Sequence, residues 1–467
     1  MCLKKICSLF CLQPFPVYNI FNNPAEEETP MTTVPLQTQT TATRRERWAW
    51  YLYDFGNSAY ASVVLLAVYS AYFQGSIVGG AEGTRLWGLA VGIAMLVVAL
   101  TSPILGTIAD FSGSKKKFLL FYTVMACIFT AGLFFATPGN VAIGMSFFIL
   151  AEIGYRSAQV FYNALLPEIA EPHEVGRVSG NGWAIGTVGG ILCLIIILPL
   201  IVMIEGDLII RASLVITAVF FAISATPIFL WLPERAKGKA LPPGENYFSV
   251  AIKQIRQTIK TASQFKEFLK FMAAFLIFND GVIMALNFAA IIGAVLYGMD
   301  QQQLIIFVII VQVSNVGGAY AFGAWVDRLG GKRSLALSIV TMIAAVIWLY
   351  LNQSATGFYM LGILAGFAMA GIQSVSRTMV SFLAPPGRSA EFYGFFAVAG
   401  RTSSFIGPTV YGFIAAEAAI WYQAQGETIT SAEQLGQKLA ILSIGVFLLV
   451  GLIVLNFVNE KKARAFE

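Results

Sequence analysis

The chain of 467 residues is 57% hydrophobic and only 12% charged, and its mean hydropathy is +0.73. This balance excludes an ordinary soluble globular protein and predicts an integral membrane protein. The net charge of +5 requires no nucleic-acid partner, because the basic residues fall in short segments between apolar runs. The cysteines show no metal-ligand spacing and no Walker-type nucleotide loop is present, so we expect no cofactor, no metal and no enzymatic activity.

Residues 1–47 form a polar tail with prolines and threonines that we expect to be disordered and cytoplasmic. From Trp48 onward, apolar runs of about 20 residues, the length that crosses a bilayer, recur almost without interruption. They predict an all-α membrane protein of roughly twelve transmembrane helices, six in each of two halves. We place the helices at 48–74, 86–109, 118–136, 141–165, 178–203, 208–232, 268–297, 303–326, 334–352, 356–378, 391–416 and 438–458.

These runs divide the chain into an N-terminal six-helix half at 48–232 and a C-terminal half at 268–458. The linker at 233–267 carries prolines and then a basic stretch with isoleucines at helical spacing, which predicts an amphipathic surface helix. Residues 459–467 form a second tail. Most of the 30 Lys and Arg residues lie in the tails or in loops on their side, so the positive-inside rule places both termini in the cytoplasm.

One short turn occurs twice, as GTIADFSGSKKK and as GAWVDRLGGKR, each after the second apolar run of its half. The first glycine should let a neighbouring helix approach closely, the aspartate should accept hydrogen bonds from a helix N-terminus, and the second glycine should permit a left-handed turn. The trailing cations are expected at the cytoplasmic headgroups. The predicted conformational-switch residues are Gly106, Asp110, Gly113 and Lys116 in the first copy and Gly323, Asp327, Gly330, Lys332 and Arg333 in the second.

Four further stretches are distinctive: WAWYLYDFGNSAY at 48–60, FYNALLPEIAEPHEVGRVSGNGWAIG at 161–186, FNDGV at 278–282 and GIQSVSRTMVSFLAPPGRSAEFYGFFAVAGRTSSFIGP at 371–408. With the repeated turn, they resemble the major facilitator superfamily and, within it, the vacuole effluxer family, which includes the fungal autophagy-related amino-acid effluxer. The resemblance implies a monomeric transporter whose partners are a small-molecule solute, protons where transport is coupled, and membrane lipids. The absence of long loop insertions favours a bacterial member in the cell inner membrane; a eukaryotic source would imply the vacuolar membrane.

Polar residues inside the apolar runs are the candidates for function, because an ionisable group at the bilayer centre costs on the order of 3 kcal/mol. In the first run, Asp54, Asn57, Ser58 and Ala61 recur at i, i+3, i+4 and i+7 and therefore share one helix face. Two interpretations of Asp54 stay open. It titrates during transport, or its carboxylate holds a helix end or a cation from another loop.

The fourth run carries Glu152, Arg156, Gln159 and Asn163 on one face. Glu152 and Arg156 lie four residues apart and can neutralise each other. A static ion pair that only fixes helix packing would explain these two residues as well. Gln159 and Asn163 extend the polar face beyond anything that a pair needs. We therefore favour a cavity lining.

The seventh run, the counterpart of the first, carries Asn279, Asp280 and Asn287. Asp280 falls near mid-membrane and is the preferred candidate for a proton or substrate-amine site. Gly281 beside it would allow the helix to unwind, as helices do around midplane sites of transporters.

The remaining candidates are Gln312 in the eighth run, Gln373 and Arg377 in the tenth, and Arg401 in the eleventh. Arg401 could pair with Asp280 or hold a substrate carboxylate through a bidentate contact. Arg377 lies close to a cytoplasmic helix end, so we expect it to snorkel or to bind a loop acid.

Together these features predict a secondary transporter that moves two halves about a central cavity and carries a small polar solute, an amino acid by family resemblance. Arg156 or Arg401 would bind the solute carboxylate, and Asp280 or Asp54 its amine or a coupling proton. A proton antiporter that exports drug-like or other metabolites is one alternative, and a broad apolar cavity would favour it. A non-transporting receptor, scaffold or scramblase is another, favoured by a core filled with apolar side chains.

Overall fold

The structure is a computed structural model of the whole chain. It describes residues 42–170, 174–204, 206–235, 265–384 and 404–460, together with isolated residues between 246 and 256 and between 392 and 400. Most of the predicted tail, most of the amphipathic helix predicted in the linker, and Arg401 lie outside the described residues.

Twelve long helices and no β-strand make up the part of the chain that the structure describes. Helices are the expected solution, because a bilayer offers no water to bond an unpaired backbone group. Eleven of these helices are long and apolar enough to span a membrane, so the protein is a multi-pass membrane protein. They run in chain order as α1 (Arg44–Val78), α2 (Gly80–Ser112), α3 (Lys115–Phe135), α4 (Val141–Ala164), α5 (Val175–Met203), α6 (Asp207–Trp231), α7 (Lys266–Tyr297), α8 (Gln301–Leu329), α9 (Gly331–Leu351), α10 (Ala355–Leu383), α11 (Ile406–Ala424) and α12 (Ile429–Asn456).

Most helices begin before the apolar runs that predicted them, and for α1 and α12 the structure shows a side-chain cap at the earlier start. α1 starts at Arg44 rather than at 48, because Thr43 and Glu46 form a reciprocal capping box. The last residues assigned to the disordered tail are therefore helical. α12 starts at Ile429 rather than at 438, after an N-cap hydrogen bond to the Thr428 side chain. Hydropathy placed that start too late because the first turns of α12 carry polar side chains that bond to neighbouring helices.

α1 is the irregular helix of the fold, and α7 is not. Ala61–Ala67 and Phe73–Val78 wind as π-helix, a rare geometry that often accompanies functional sites. α7 instead continues without a break through Gly281, whose missing side chain admits Leu448 and the Ile444 carbonyl of α12. The predicted unwinding at Gly281 is therefore wrong. This glycine serves close helix packing.

The first six and the last six helices follow the same packing scheme. α1 packs on α5 and α6, α2 on α4, and α3 on α4 and α6. In the same way, α7 packs on α11 and α12, α8 on α10, and α9 on α10 and α12. The contact of α2 with α11 and the contact of α5 with α8 join the first set of six helices to the last set of six, and the repeat makes these two contacts equivalent. The repeat detected in the turn sequence thus extends to the helix arrangement.

Each copy of the repeated turn ties the start of one helix to the end of another. The Lys116 ammonium donates to the carbonyls of Phe229, at 3.0 Å, and Leu232 at the end of α6. In the second copy, the Lys332 ammonium donates to the carbonyls of Asn456 and Val458 at the end of α12, at 2.7 and 2.8 Å. These two lysines satisfy helix-terminal carbonyls, and the expectation that the trailing cations lie at the headgroups stays a prediction.

The second glycine of each turn has the predicted backbone conformation, whereas the first glycine does not make the predicted close helix contact. Gly113 and Gly330 have φ of +62° and +83°, as predicted for the second glycine of each copy. A Cβ placed on Gly106 or Gly323 would meet no atom of the described residues within 4 Å, so the close helix approach predicted there is not made. The side chains of Asp110 and Asp327 lie outside the described residues, and their role stays a prediction.

We expect Lys116→Ala to lower the free energy of unfolding by about 2 kcal/mol, the scale of hydrogen bonds made by a charged donor. The reason is that the substitution leaves two carbonyls at the end of α6 without that donor. Thermal unfolding of the purified protein measures the effect.

Lys117→Ala is the matched control for this measurement. Lys117 is the next residue on the same helix, it is exposed, and its side chain donates no hydrogen bond to any described residue. A loss of stability as large in Lys117→Ala as in Lys116→Ala would contradict the capping role.

Candidate functional site

The two sets of helices are held together at one end of the bundle, which we call the distal end because it lies opposite the start of α1 and the end of α12. The Trp87 indole of α2 donates to the Asn287 carbonyl of α7 at 2.9 Å. The Gln301 amide of α8 donates to the Ala67 carbonyl of α1 at 2.5 Å. These bonds join opposite sets of helices, so they seal the distal end.

A buried chain of three polar side chains forms part of this seal. The Tyr411 hydroxyl of α11 donates to Gln437 of α12 at 2.7 Å, and the Gln437 amide donates to the Thr84 hydroxyl of α2 at 2.9 Å. Each of the three side chains is at most 3% exposed. α2 and α11 approach closely here, since a Cβ on Gly412 would lie 2.9 Å from the Thr84 carbonyl oxygen. Sequence reasoning missed this chain because Gln437 lay in a predicted loop.

Asp54 lies in the interface between α1 and α5. A Cβ on Gly186 of α5 would meet the Asp54 carboxylate at 2.7 Å and the Ser58 hydroxyl at 2.8 Å, so a glycine is needed to admit this polar face. The Asn57 side chain bonds to the Asp54 carboxylate, as their shared face predicts. The charge of Arg377, on α10 of the other set, acts on the same carboxylate. The Arg377 side chain is itself exposed, and the expectation that it snorkels or binds a loop acid stays a prediction.

Glu152 and Arg156 form an ion pair within α4, with the Arg156 Nε 2.7 Å from Glu152 Oε1. Glu152 is 0% exposed, and its second oxygen, Oε2, has no hydrogen-bond partner among the described residues. The Arg156 guanidinium also lies 5.1 Å from the Tyr155 ring centroid, a cation–π distance. Gln159 bonds to the Tyr155 hydroxyl, whereas Asn163 is exposed at the end of the helix.

Asp280 lies where α7 meets α11. The side chain is 2% exposed, it accepts a hydrogen bond from the Gly407 N–H, and its Oδ1 has no partner among the residues described. Asn279 beside it accepts from the Gln373 amide at 3.4 Å and donates to the Gly400 carbonyl at 3.4 Å. The structure therefore joins buried Asn279 to half-buried Gln373, with buried Asp280 the next residue along α7.

One polar contact crosses between the two sets in the middle of the bundle. The Gln312 amide of α8 donates to the Ser62 hydroxyl of α1 at 3.2 Å. Ser62 belongs to the π-helical part of α1. Asn315, one turn further along α8, is 4% exposed, and its Oδ1 has no partner in the described part of the chain. Asn287 is equally buried, and its backbone carbonyl rather than its side chain carries the described contact to Trp87.

An apolar cavity of about 80 Å³ lies within the last six helices, between α7, α8, α9 and α10, and Leu66 of α1 also lines it. The first six helices fill the corresponding space with Tyr69, Trp87 and Phe148, whose rings contact one another and are 0% exposed. The cavity is far smaller than the roughly 300 to 1,000 Å³ of drug-sized sites. It is not the broad apolar cavity that would favour a drug exporter.

Fold comparison assigns the class of protein. A bacterial homologue of the human lysosomal transporter Spinster, solved in an inward-facing and unoccupied conformation, superposes with a TM-score of 0.66 at 14% identity, covering 91% of this chain and 98% of that one. A D-xylose–proton symporter superposes with a TM-score of 0.62 at 16% identity, covering 90% and 98%. With the twelve-helix arrangement, these likenesses give this chain the fold of a membrane transporter of the major facilitator type.

The family follows from sequence comparison. Residues 87–465 match the family described as "Vacuole effluxer Atg22 like", and the chain belongs to this family, as its four distinctive stretches predicted. An uncharacterized MFS-type transporter of Bacillus subtilis, YxiO, is 27% identical over 424 residues, covering 88% of this chain and 94% of the relative. Autophagy-related protein 22 of Yarrowia lipolytica is 23% identical over 456 residues, covering 78% of this chain and 75% of the relative.

We expect Thr84→Val to shift the protein toward a state that is open at the distal end. The substitution keeps the side-chain shape but leaves the Gln437 amide without its described partner in the closed seal, at a cost of about 1 to 3 kcal/mol. Distances between spin labels on the exposed distal ends of α2 and α11 report the shift. Thr226→Val is the control, because Thr226 is exposed on α6 and bonds only to its own helix in the described structure. An unchanged distance distribution in Thr84→Val would mean that the seal does not depend on this bond.

The second expectation concerns the pair in α4. Glu152→Gln leaves the Arg156 charge unpaired in the membrane and should lower the free energy of unfolding by about 3 to 5 kcal/mol, whereas the double variant Glu152→Gln/Arg156→Gln should recover most of it. Thermal unfolding of the two variants measures the coupling.

Glu82→Gln is the matched control for the α4 pair. Glu82 pairs with Arg85 three residues away on the exposed distal surface, where loss of one partner costs at most about 1 kcal/mol. A double variant as unstable as Glu152→Gln alone would contradict the mutual neutralisation of Glu152 and Arg156.

Proposed function

We propose that this protein is a secondary transporter that exports a small polar solute, most simply an amino acid, by alternating access. The observation that carries the proposal is a bundle sealed at its distal end while ionisable side chains are buried within α4 and α7 and Asp54 of α1 is half-buried. An ionisable side chain inside a membrane costs about 2.5 to 3.5 kcal/mol even on insertion scales. A scaffold gains nothing from several such groups, whereas a solute pathway requires them.

The direction of transport is inferred from the family, which is described as an effluxer. The solute class is inferred from the chemistry of the buried groups. Arg156 offers a guanidinium for a carboxylate, and Asp280 offers an unpartnered oxygen for an amine or a proton. Arg401 remains a second candidate for the carboxylate and lies outside the described residues. Asp54 remains a second candidate for the amine or the proton.

The sealed distal end fits one state of an alternating-access cycle. In this state, the glycine contacts of α2 with α11 and the Thr84–Gln437–Tyr411 chain close one side. In the opposite state these contacts part. We propose that the charges of Asp54 and Arg377, which belong to opposite sets of helices, draw the sets together at the other end.

Uptake and efflux of a mixed, labelled amino-acid pool in proteoliposomes, with and without a pH gradient, test the proposal. Selective movement of a few amino acids supports it. Movement of other metabolites but of no amino acid overturns the solute class. If correctly folded protein moves no solute but exchanges lipid between leaflets, the transporter assignment itself is wrong, and a scramblase takes its place.

We expect Asp280→Asn to abolish accumulation driven by a pH gradient while exchange of solute across the membrane continues. Asparagine keeps the shape and the Gly407 bond of Asp280 but cannot gain or lose the proton. A driving force of about 1.4 kcal/mol per proton for each pH unit of the gradient would then no longer act on the solute. The measurement is the ratio of accumulated to exchanged solute in the same vesicles.

Glu427→Gln is the control for Asp280→Asn, because Glu427 is an exposed carboxylate at the distal surface. It should leave accumulation and exchange unchanged. Accumulation by Asp280→Asn at the wild-type level, with unchanged pH dependence, would show that Asp280 does not couple transport to protons.

A further inference from the structure

We propose that the groove between α2 and α3 at the non-distal end of the bundle binds one anionic phospholipid, with its phosphate at Lys117 and its acyl chain along the aromatic side chains of α3. The groove has a volume of about 610 Å³, within the range of roughly 300 to 1,000 Å³ that is typical of small-molecule sites. It is lined by Leu105, Ile108, Ser112, Ser114, Lys117, Phe118, Phe121 and Tyr122. The inference is independent of which solute the protein transports.

The lining divides into a polar and an apolar end. Ser112, Ser114 and Lys117 supply two hydroxyl groups and one cation where α2 ends and α3 begins. Beyond them along α3, the groove is walled by Phe118 and Phe121. Phe121 is 62% exposed and therefore faces the lipid. A phospholipid has the same order of chemistry, with a phosphate at the bilayer surface and a hydrocarbon chain directed inward.

The charge of Lys117 is the argument for an anionic headgroup. Three lysines follow one another in this turn, and two of them are bound within the protein. Lys115 donates to Glu168 at 3.1 Å and to the Ala164 carbonyl at 3.3 Å, and Lys116 donates to the end of α6. Lys117 has no hydrogen-bond or ion-pair partner among the described residues and lines the groove instead.

The second copy of the turn provides an internal comparison. Lys116 and Lys332 occupy equivalent positions as caps of α6 and α12, which makes Arg333 the counterpart of Lys117. The second turn is one residue shorter, because Gly330 alone ends α8 and precedes α9 where the first turn has Gly113 and Ser114. Arg333 is therefore an exposed cation in the equivalent first turn of α9, and the hydroxyl beside it, that of Ser334, is buried. Substituting Arg333 therefore distinguishes a specific lipid site at Lys117 from general attraction between a basic surface and anionic lipid.

Native mass spectrometry of the purified protein with phosphatidylglycerol or phosphatidylcholine of matched acyl chains tests the proposal. The wild-type protein should bind phosphatidylglycerol more tightly than phosphatidylcholine. Lys117→Gln should weaken binding of phosphatidylglycerol about fivefold, the scale of one cation at a membrane surface, and leave phosphatidylcholine unaffected. Lys117→Arg should retain the wild-type preference. Arg333→Gln should weaken the binding much less than Lys117→Gln.

Phe121→Ala tests the apolar end with a side chain that is exposed to lipid and so is not needed for the core. It should weaken the binding of phosphatidylglycerol with long acyl chains and leave the binding of the soluble headgroup, glycerophosphoglycerol, unchanged. Thermal unfolding confirms that each variant is folded.

Three results would overturn the proposal. If Arg333→Gln and Lys117→Gln lowered the affinity for phosphatidylglycerol equally, the lipid would be held only by general attraction to a basic surface. Displacement of the lipid by millimolar inorganic phosphate would show a phosphate site. If Phe121→Ala weakened the binding of both lipids equally and Lys117→Gln had no effect on either, the groove would be an apolar surface without headgroup selectivity.

Discussion

The need of each polar group for a partner inside the protein governs this structure, because the bilayer core supplies no water. Backbone groups meet this need within helices. At the helix ends, Lys116 and Lys332 meet it by donating to the final carbonyls of α6 and α12. A lysine that the sequence predicts at the headgroups thereby also caps the last helix of its half. Each half of the repeat consequently joins its third helix to its sixth.

The same need shapes the contact between the two sets of helices. A seal made only of apolar side chains would slide freely, since lipid and protein surfaces are equally apolar and no hydrophobic force holds them together. The Tyr411–Gln437–Thr84 chain adds directional hydrogen bonds to the seal. Close glycine contacts, such as that of Gly412 with Thr84, bring the backbones near enough for these bonds to form. Opening this end to water would let the same side chains bond to solvent, so the seal is specific without being costly to break.

The sequence predicted the helices, the repeat and the shared polar face of Asp54 and Asn57, because each depends on periodicity or local spacing. The family was predicted from the resemblance of the four distinctive stretches and the repeated turn to a known family. It could not predict contacts between helices distant in the chain. Gln437 lay outside the apolar run that placed α12, and the electrostatic effect of Arg377 on Asp54 depends on where α10 and α1 lie in the bundle. The irregular winding of α1 also left no signal, since Ala61–Ala67 reads as an ordinary apolar run.

Two buried carboxylates keep an oxygen without a partner in the described structure, Glu152 Oε2 and Asp280 Oδ1, and they are not equivalent. Glu152 is held by Arg156 on its own helix, so its charge is balanced whatever the two sets of helices do. Asp280 has only a backbone N–H from Gly407 on α11. No described cation balances it, so a proton or a bound cationic group stabilises it most directly. Because α11 also forms the distal seal with α2, neutralising Asp280 acts on the helix that must move when the seal opens.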